Sequence, residues 1–467
     1  MPHRDTRALV AHLFRRAGFG LRPEELDRFT SLGIRGSVEY LLNYDAVPDP
    51  AETRFPAPDL APLTAELNRL FAELDQSRPD RAELIRQLRA VLDQAKLLLQ
   101  SWWINRMLHT NRPLQEKMTL FWHGHFAAAL QKVDAAQMLP QNLLFRGRAL
   151  GNFGTLLNEV TRDPAMLHWL DGDLSRKGHP NENYAREVME LFTLGVGHYT
   201  EHDVREGARA LTGWVLELFT YKPRWVPRYH DDGIKTYLGH TGTFGPDEIM
   251  AILAAHPRTG IFLGRKLFEF FAHDNADAAT VRQIADTYYR SGYDIKAVIR
   301  HILLSDAFYA EASFQQHVRS PAEFVVGTVR ELGAAVPVAA MARSMTVMGQ
   351  DLFNPPNVGG WPGGFTWSTA GALAERFNFA GLLIAREGAG AHILDARQLL
   401  RRSGARTAAG LVDYLLDRFI SLGATEATRS ALLAYLGGSQ VLASPLMDTR
   451  VRGLLQLVLT APEYQLN

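Results

Sequence analysis

Apolar side chains recur every three to four positions along nearly all of this 467-residue chain. That is the spacing of helices that bury one face and solvate the other. It predicts helices over 6–17, 23–32 and 35–42, then over 63–74 and 81–108, the last a strut of charges and leucines ending in Trp102 and Trp103. Further helices are predicted at 113–126, 135–149, 155–160, 182–194 and 203–211. Beyond them come 246–255, 261–271, 278–290, 295–304, 321–332 and 339–348. Between 47 and 62 the run VPDPAETRFPAPDLAP breaks the period with prolines and reads as a linker. Only from 214 to 238 does the pattern turn β-branched and aromatic, around Asp232-Gly233, a dipeptide that favours a type I′ hairpin turn. Pro223 and Pro227 confine the first strand to an edge.

The expected fold is therefore mainly α: a large multi-helix globular protein with one small β-hairpin excursion near 214–238. The same punctuation divides the chain into an N-terminal helical segment (1–46), the linker (47–62), a helical core carrying the candidate site (63–310) and a C-terminal helical region (311–467).

Composition narrows the chemistry more than the fold. The formal net charge is zero, so bulk electrostatics draws the chain to neither nucleic acid nor an anionic membrane. There is no cysteine, which removes disulfides, thiolate nucleophiles, iron–sulfur clusters and cysteine zinc sites. Any metal must be held by nitrogen and oxygen. No window reaches the roughly 18 apolar residues that span a bilayer. The first twenty residues lack the apolar core of a secretory signal. A cytoplasmic protein is the default expectation, or an exported one if a signal is missing from this chain.

Three segments carry candidate chemistry. In 113–126, PLQEKMTLFWHGHF, Glu116, Thr119 and His123 share one helical face, while His125 falls among apolar residues. The two histidines grip one ion only if Gly124 ends the helix and the chain becomes extended. In 182–194, Asn183, Glu187 and Glu190 form a polar stripe beside the apolar stripe of Tyr184, Val188, Leu191 and Leu194. Arg186 reaches Glu182 and Glu190 at i±4, so an intrahelical salt-bridge ladder is one reading. The other is a cation or acid–base site, because carboxylates one turn apart repel unless protonated or neutralised. Nearby, Asp163 before Pro164 reads as an N-cap, and Thr200 with Asp203 as a capping box. Arg205 and Arg209 are placed to pair with the glutamate stripe, and His198 and His230 to converge on it. The third segment, NPPNVGGWPGGFTW at 354–367, lacks the Lys-Ser/Thr ending of a phosphate loop. Its Trp361 and Trp367 either wall a pocket or lock two helical layers together.

Five stretches, LFRRAGFG (13–20), LQEKMTLFWHGHF (114–126), DPAMLHWLDG (163–172), NENYAREVMELFTLGVGHYTEHDVREGARALTGW (181–214) and PPNVGGWPGG (355–364), together resemble the bacterial family catalogued as domain of unknown function 1800. The resemblance runs over essentially the whole chain and implies one functional unit. It supplies no catalytic residues, since the family is named for its lack of an assigned activity. Many members look like exported proteins, from which this chain departs in showing no signal.

Three functions remain open. The first is a metal-dependent hydrolase or oxidoreductase, with a divalent cation on His123, His125, Glu187 and Glu190, and Arg186, Glu187 and Glu190 as catalytic groups. The second is a haem or peroxide-handling enzyme using His123 or His125 beside Arg186. The third is a non-catalytic helical scaffold or partner-binding protein whose polar stripes are buried ion pairs. The partner is an unspecified small molecule or protein.

Overall fold

A computed structural model describes residues 5–74, 80–217, 220–385, 396–420 and 423–467. Among these residues the chain forms twenty-two α-helices and two two-stranded antiparallel sheets. The helices start where short polar side chains take up free backbone N–H groups. Asp163 accepts from Met166 N ahead of Pro164, and Thr200 and Asp203 form the reciprocal box. Ser320 and Glu323 do the same ahead of Pro321–Leu332. The helices expected at 23–32 and 35–42 are one element, Glu25–Leu42, kinked at Gly33, whose φ of 67° suits glycine. The helix expected at 182–194 stops at Glu190, where Leu194 and Gly195 N–H groups turn back onto the Met189 carbonyl.

The proline-rich run 47–62 is mostly exposed; within it lies the helix Pro50–Arg54, and buried Asp49 accepts from Thr110 Oγ1 and Asn111 N at 2.9 Å each. One expectation needs correction. The single hairpin is two. β1 (Trp214–Leu216) pairs with β2 (Pro223–Trp225), and β3 (Lys235–Tyr237) with β4 (His240–Gly242). The tight turn of the second pair is Leu238-Gly239, both at positive φ. Asp232-Gly233 is excluded from that role because its neighbour Asp231 is clamped by Arg209 at 2.8 and 3.1 Å. The Arg209 clamp holds the segment against Glu201–Ala210 before β3 begins.

The apolar side chains gather into two clusters. One unites the N-terminal helices with those running from Phe145 to Phe314. The other unites the end of the long helix Arg81–His109 with the helices from Ala322 onward. The helix Pro113–His125 lies between them. Its Leu114, Met118, Phe121 and Trp122 belong to the first cluster and its Leu120 to the second. With both faces covered, its polar residues Glu116, Lys117, Thr119, His123 and His125 are buried as well. Among the described residues no helix is long and apolar enough to cross a membrane.

Candidate functional site

The buried polar groups of this central helix meet different fates. Glu116 is fully buried and accepts from Trp103 Nε1 (3.0 Å), Arg106 Nε (2.9 Å) and Arg146 Nε and Nη2 (2.9 Å each). Burial alone would raise its pKa; Arg146 and Arg106 overcome that and hold it low. Lys117 is matched by Glu323 and lies 5.0 Å from the Phe270 ring centroid. His123 has no such partner. Both ring nitrogens are unpaired among the described residues, and the ring sits 5.4–5.5 Å from those of Trp103, Phe353 and Trp361. Burial drives its pKa down to about 3, so it is a neutral ring in an aromatic cage.

His125 is different again. Its Nε2 lies 3.1 Å from the Phe192 carbonyl, which only accepts, so Nε2 carries the proton and Nδ1 is a bare acceptor. Nδ1 is buried without a partner among the described residues, and its ring lines a cleft.

That cleft lies at the seam of the two cores and has a volume of about 240 Å³. The central helix supplies Leu120, Phe121, Gly124 and His125 to it. The helix Pro257–Phe271 supplies Lys266, Glu269 and Phe270, with Asp274 just beyond. His317, Ser320, Glu323 and Gln350 form a further wall, and the glycine–tryptophan loop closes the set with Trp361 and Trp367. The loop seats closely because it has no side chain at 360: a Cβ there would stand 2.2 Å from the Gly124 carbonyl oxygen, and φ is +82°. Both tryptophans wall the pocket, and Trp361 also packs against the second cluster.

Lys266 is the unusual group. It makes no ion pair among the described residues; its ammonium lies 5.3 Å from the Phe262 ring centroid. Burial lowers its pKa to about 8, against the opposing pull of Glu269. Glu269, one turn on, is raised, chiefly by burial. Glu323 is held anionic at about 2: burial opposes this, and Lys117, His317 and Arg16 prevail. His317 is lowered to about 3, first by burial and then by Arg16.

The sequence-predicted residues fall elsewhere. Arg186 is held by Glu201 at 2.7 and 2.8 Å, with Glu182 at 3.5 Å. Glu190 accepts from the Tyr199 hydroxyl. Glu187 is half-buried, and its pKa is raised by burial and then by the Glu190 charge. Arg209 serves Glu206 and Asp231 rather than the glutamate stripe, and Arg205 and His198 are exposed. His230 Nδ1 lies 3.0 Å from the Thr212 carbonyl, beside the first hairpin. Among the described residues no group of three or more His, Asp or Glu side chains is arranged to hold a metal ion, so His123, His125, Glu187 and Glu190 are not gathered into one ligand set. Of these only His125 lines the cleft.

Sequence reasoning passed over Lys266, Glu269, His317 and Glu323. One signal was present. Lys266 stands between Phe262 and Phe270 at i−4 and i+4, so it sits in an aromatic stripe where a solvated lysine does not belong.

Fold and cleft together define a mainly helical protein with a small cleft, apolar-walled and carrying a few charged groups, where two apolar cores meet. The chain belongs to the family described as protein of unknown function (DUF1800), which matches it over residues 12–466. No curated protein and no solved structure matches it.

Proposed function

We propose that the chain is an enzyme acting on a small organic molecule held in this cleft, with Lys266 and Glu269 as its proton-transferring pair. The observation that carries the proposal is an ammonium without a carboxylate partner on the wall of a cavity. Burial shifts it and a glutamate one turn away toward neutral pH from opposite sides. Phe121, Phe270, Trp361 and Trp367 supply apolar walls. The metal-centred alternative lacks a gathered ligand set among the described residues, and the scaffold alternative requires an ordinary lysine at 266.

Competitive acylation with acetic anhydride, resolved by peptide mass spectrometry across pH 6–11, tests this. Lys266 is expected to titrate near pH 8. A Lys266 that titrates with the exposed Lys222 overturns the proposal and leaves the scaffold reading.

A further inference from the structure

We propose that Lys266 forms an imine with small uncharged carbonyl compounds, the hydroxyaldehyde and hydroxyketone class, bound in this cleft. This rests on the reading of the cleft given above and names its substrate class. A lysine used as a fixed charge is paired with a carboxylate, as Lys117 is with Glu323. Lys266 is instead left over an aromatic face, which tolerates the ammonium without tying up its lone pair once deprotonated. With its pKa near 8, about one Lys266 in ten carries the free amine at pH 7, against about one in 3,000 for an ordinary lysine.

The rest of the wall selects the partner. Glu323 is anionic but already paired with Lys117, and Glu269 and Asp274 add two more carboxyl groups. No arginine lines the cleft among the described residues, so nothing is left to pair the carboxylate of a 2-oxo acid once Lys266 serves as the amine. A neutral molecule carrying hydroxyls meets oxygen acceptors instead, on Glu269, Asp274 and Gln350. At about 240 Å³ the cavity suits a molecule of few heavy atoms.

The chemistry balances without an oxidant or reductant. The Nζ lone pair attacks the carbonyl carbon; the C–N bond forms as the C=O π bond breaks, and the oxygen takes a proton from the Glu269 carboxyl group. Nζ then returns a proton to the Glu269 carboxylate. Glu269 protonates the resulting hydroxyl, the C–O bond breaks, water leaves, and the C=N bond forms. The product is a protonated imine beside the Glu269 carboxylate, with water released; return of the imine proton to that carboxylate gives the neutral imine and restores the Glu269 carboxyl group.

The test is reductive trapping. The full-length protein is incubated at pH 7 with dihydroxyacetone and sodium cyanoborohydride, and the adducts are mapped by mass spectrometry. Lys266 is expected to be trapped at least tenfold faster than Lys222, and faster with dihydroxyacetone than with pyruvate. Lys266→Met, checked for an unchanged helical spectrum, is expected to lose the fast adduct and keep the slow ones. Glu269→Gln separates proton transfer from amine activation: acylation by acetic anhydride stays the same or quickens, while trapping slows. If Lys266 acylates with a midpoint near pH 8 yet is trapped no faster than Lys222, the imine is overturned and the cleft reading stands. If neither reaction favours Lys266, both fall. Preference for pyruvate overturns the substrate class.

Discussion

Replacing His123 by phenylalanine puts a number on its aromatic cage. The imidazole has two unpaired nitrogens among the rings of Trp103, Phe353 and Trp361. At neutral pH, removing those polar atoms gains about 1–3 kcal/mol, and the larger ring costs a comparable ~1–3 kcal/mol in overpacking. The offset between parent and variant is thus expected near zero. The pH dependence is decisive. The folded pKa of about 3 lies below the reference 6.5, so the neutral ring is what folding tolerates. The parent therefore holds its full stability above pH 6.5 and loses it as the pH falls toward 3, at about 1.4 kcal/mol per unit. The variant has no such loss. By pH 5 it should have gained about 2 kcal/mol on the parent relative to its position at pH 7.5. Taking the difference cancels every other titrating group. Urea unfolding of both proteins at pH 7.5, 6.5, 5.5 and 5.0 measures the gap. Parallel stability curves, or a gap that widens in favour of the parent, would refute the buried neutral ring.

Glu116→Ala leaves Arg106 and Arg146 buried without their carboxylate and is expected to cost about 3–5 kcal/mol. Glu116→Gln should cost less, and a loss under about 1 kcal/mol for alanine in denaturant titrations would contradict the clamp. Gly360→Ala drives a methyl into the Gly124 carbonyl at a strained φ, so the 354–368 loop should lift, with a stability loss of about 1–3 kcal/mol. Faster amide exchange confined to that loop and its contacts checks it; an unchanged exchange pattern rules out the close seating.

What the sequence reveals and hides follows from how local each determinant is. Helix starts are local: Asp163, Thr200 with Asp203, and the Ser320 box act within three residues, and each is visible as a short motif. The turn at Asp232-Gly233 is a local propensity overruled by a distant residue, since Arg209 holds Asp231 before a strand can form. The same happens to the glutamate stripe. Arg186 is within helical reach of Glu182 and Glu190, but Glu201 on the next helix takes both its nitrogens. Two carboxylates at i and i+3 invite a cation on paper. In the fold Glu190 is bonded by Tyr199, and Glu187 is half-buried with its pKa raised by burial and then by the Glu190 charge. His123 and Glu116 share a helical face as expected, yet the glutamate faces two arginines and the histidine three aromatic rings.

The cleft was the hardest part to read because its walls come from four separate stretches of chain, each looking like ordinary helix or loop by itself. Buried charge gives the better guide. Arg15 with Glu331, Lys117 with Glu323, and Glu116 with Arg106 and Arg146 are ion pairs buried between helices, the first two joining elements more than 200 residues apart and the last joining successive helices. Such pairs rarely outperform apolar packing for stability, but each is punishing to misalign, so they fix how the two cores meet. Every cation in that set has found its anion. Lys266 borders the same seam, has three carboxyl groups around its cavity, and is bound to none of them among the described residues. Burial at this seam lowers the Lys266 pKa to about 8, and it is on this unpaired amine, beside an aromatic-walled cavity, that the proposed imine rests.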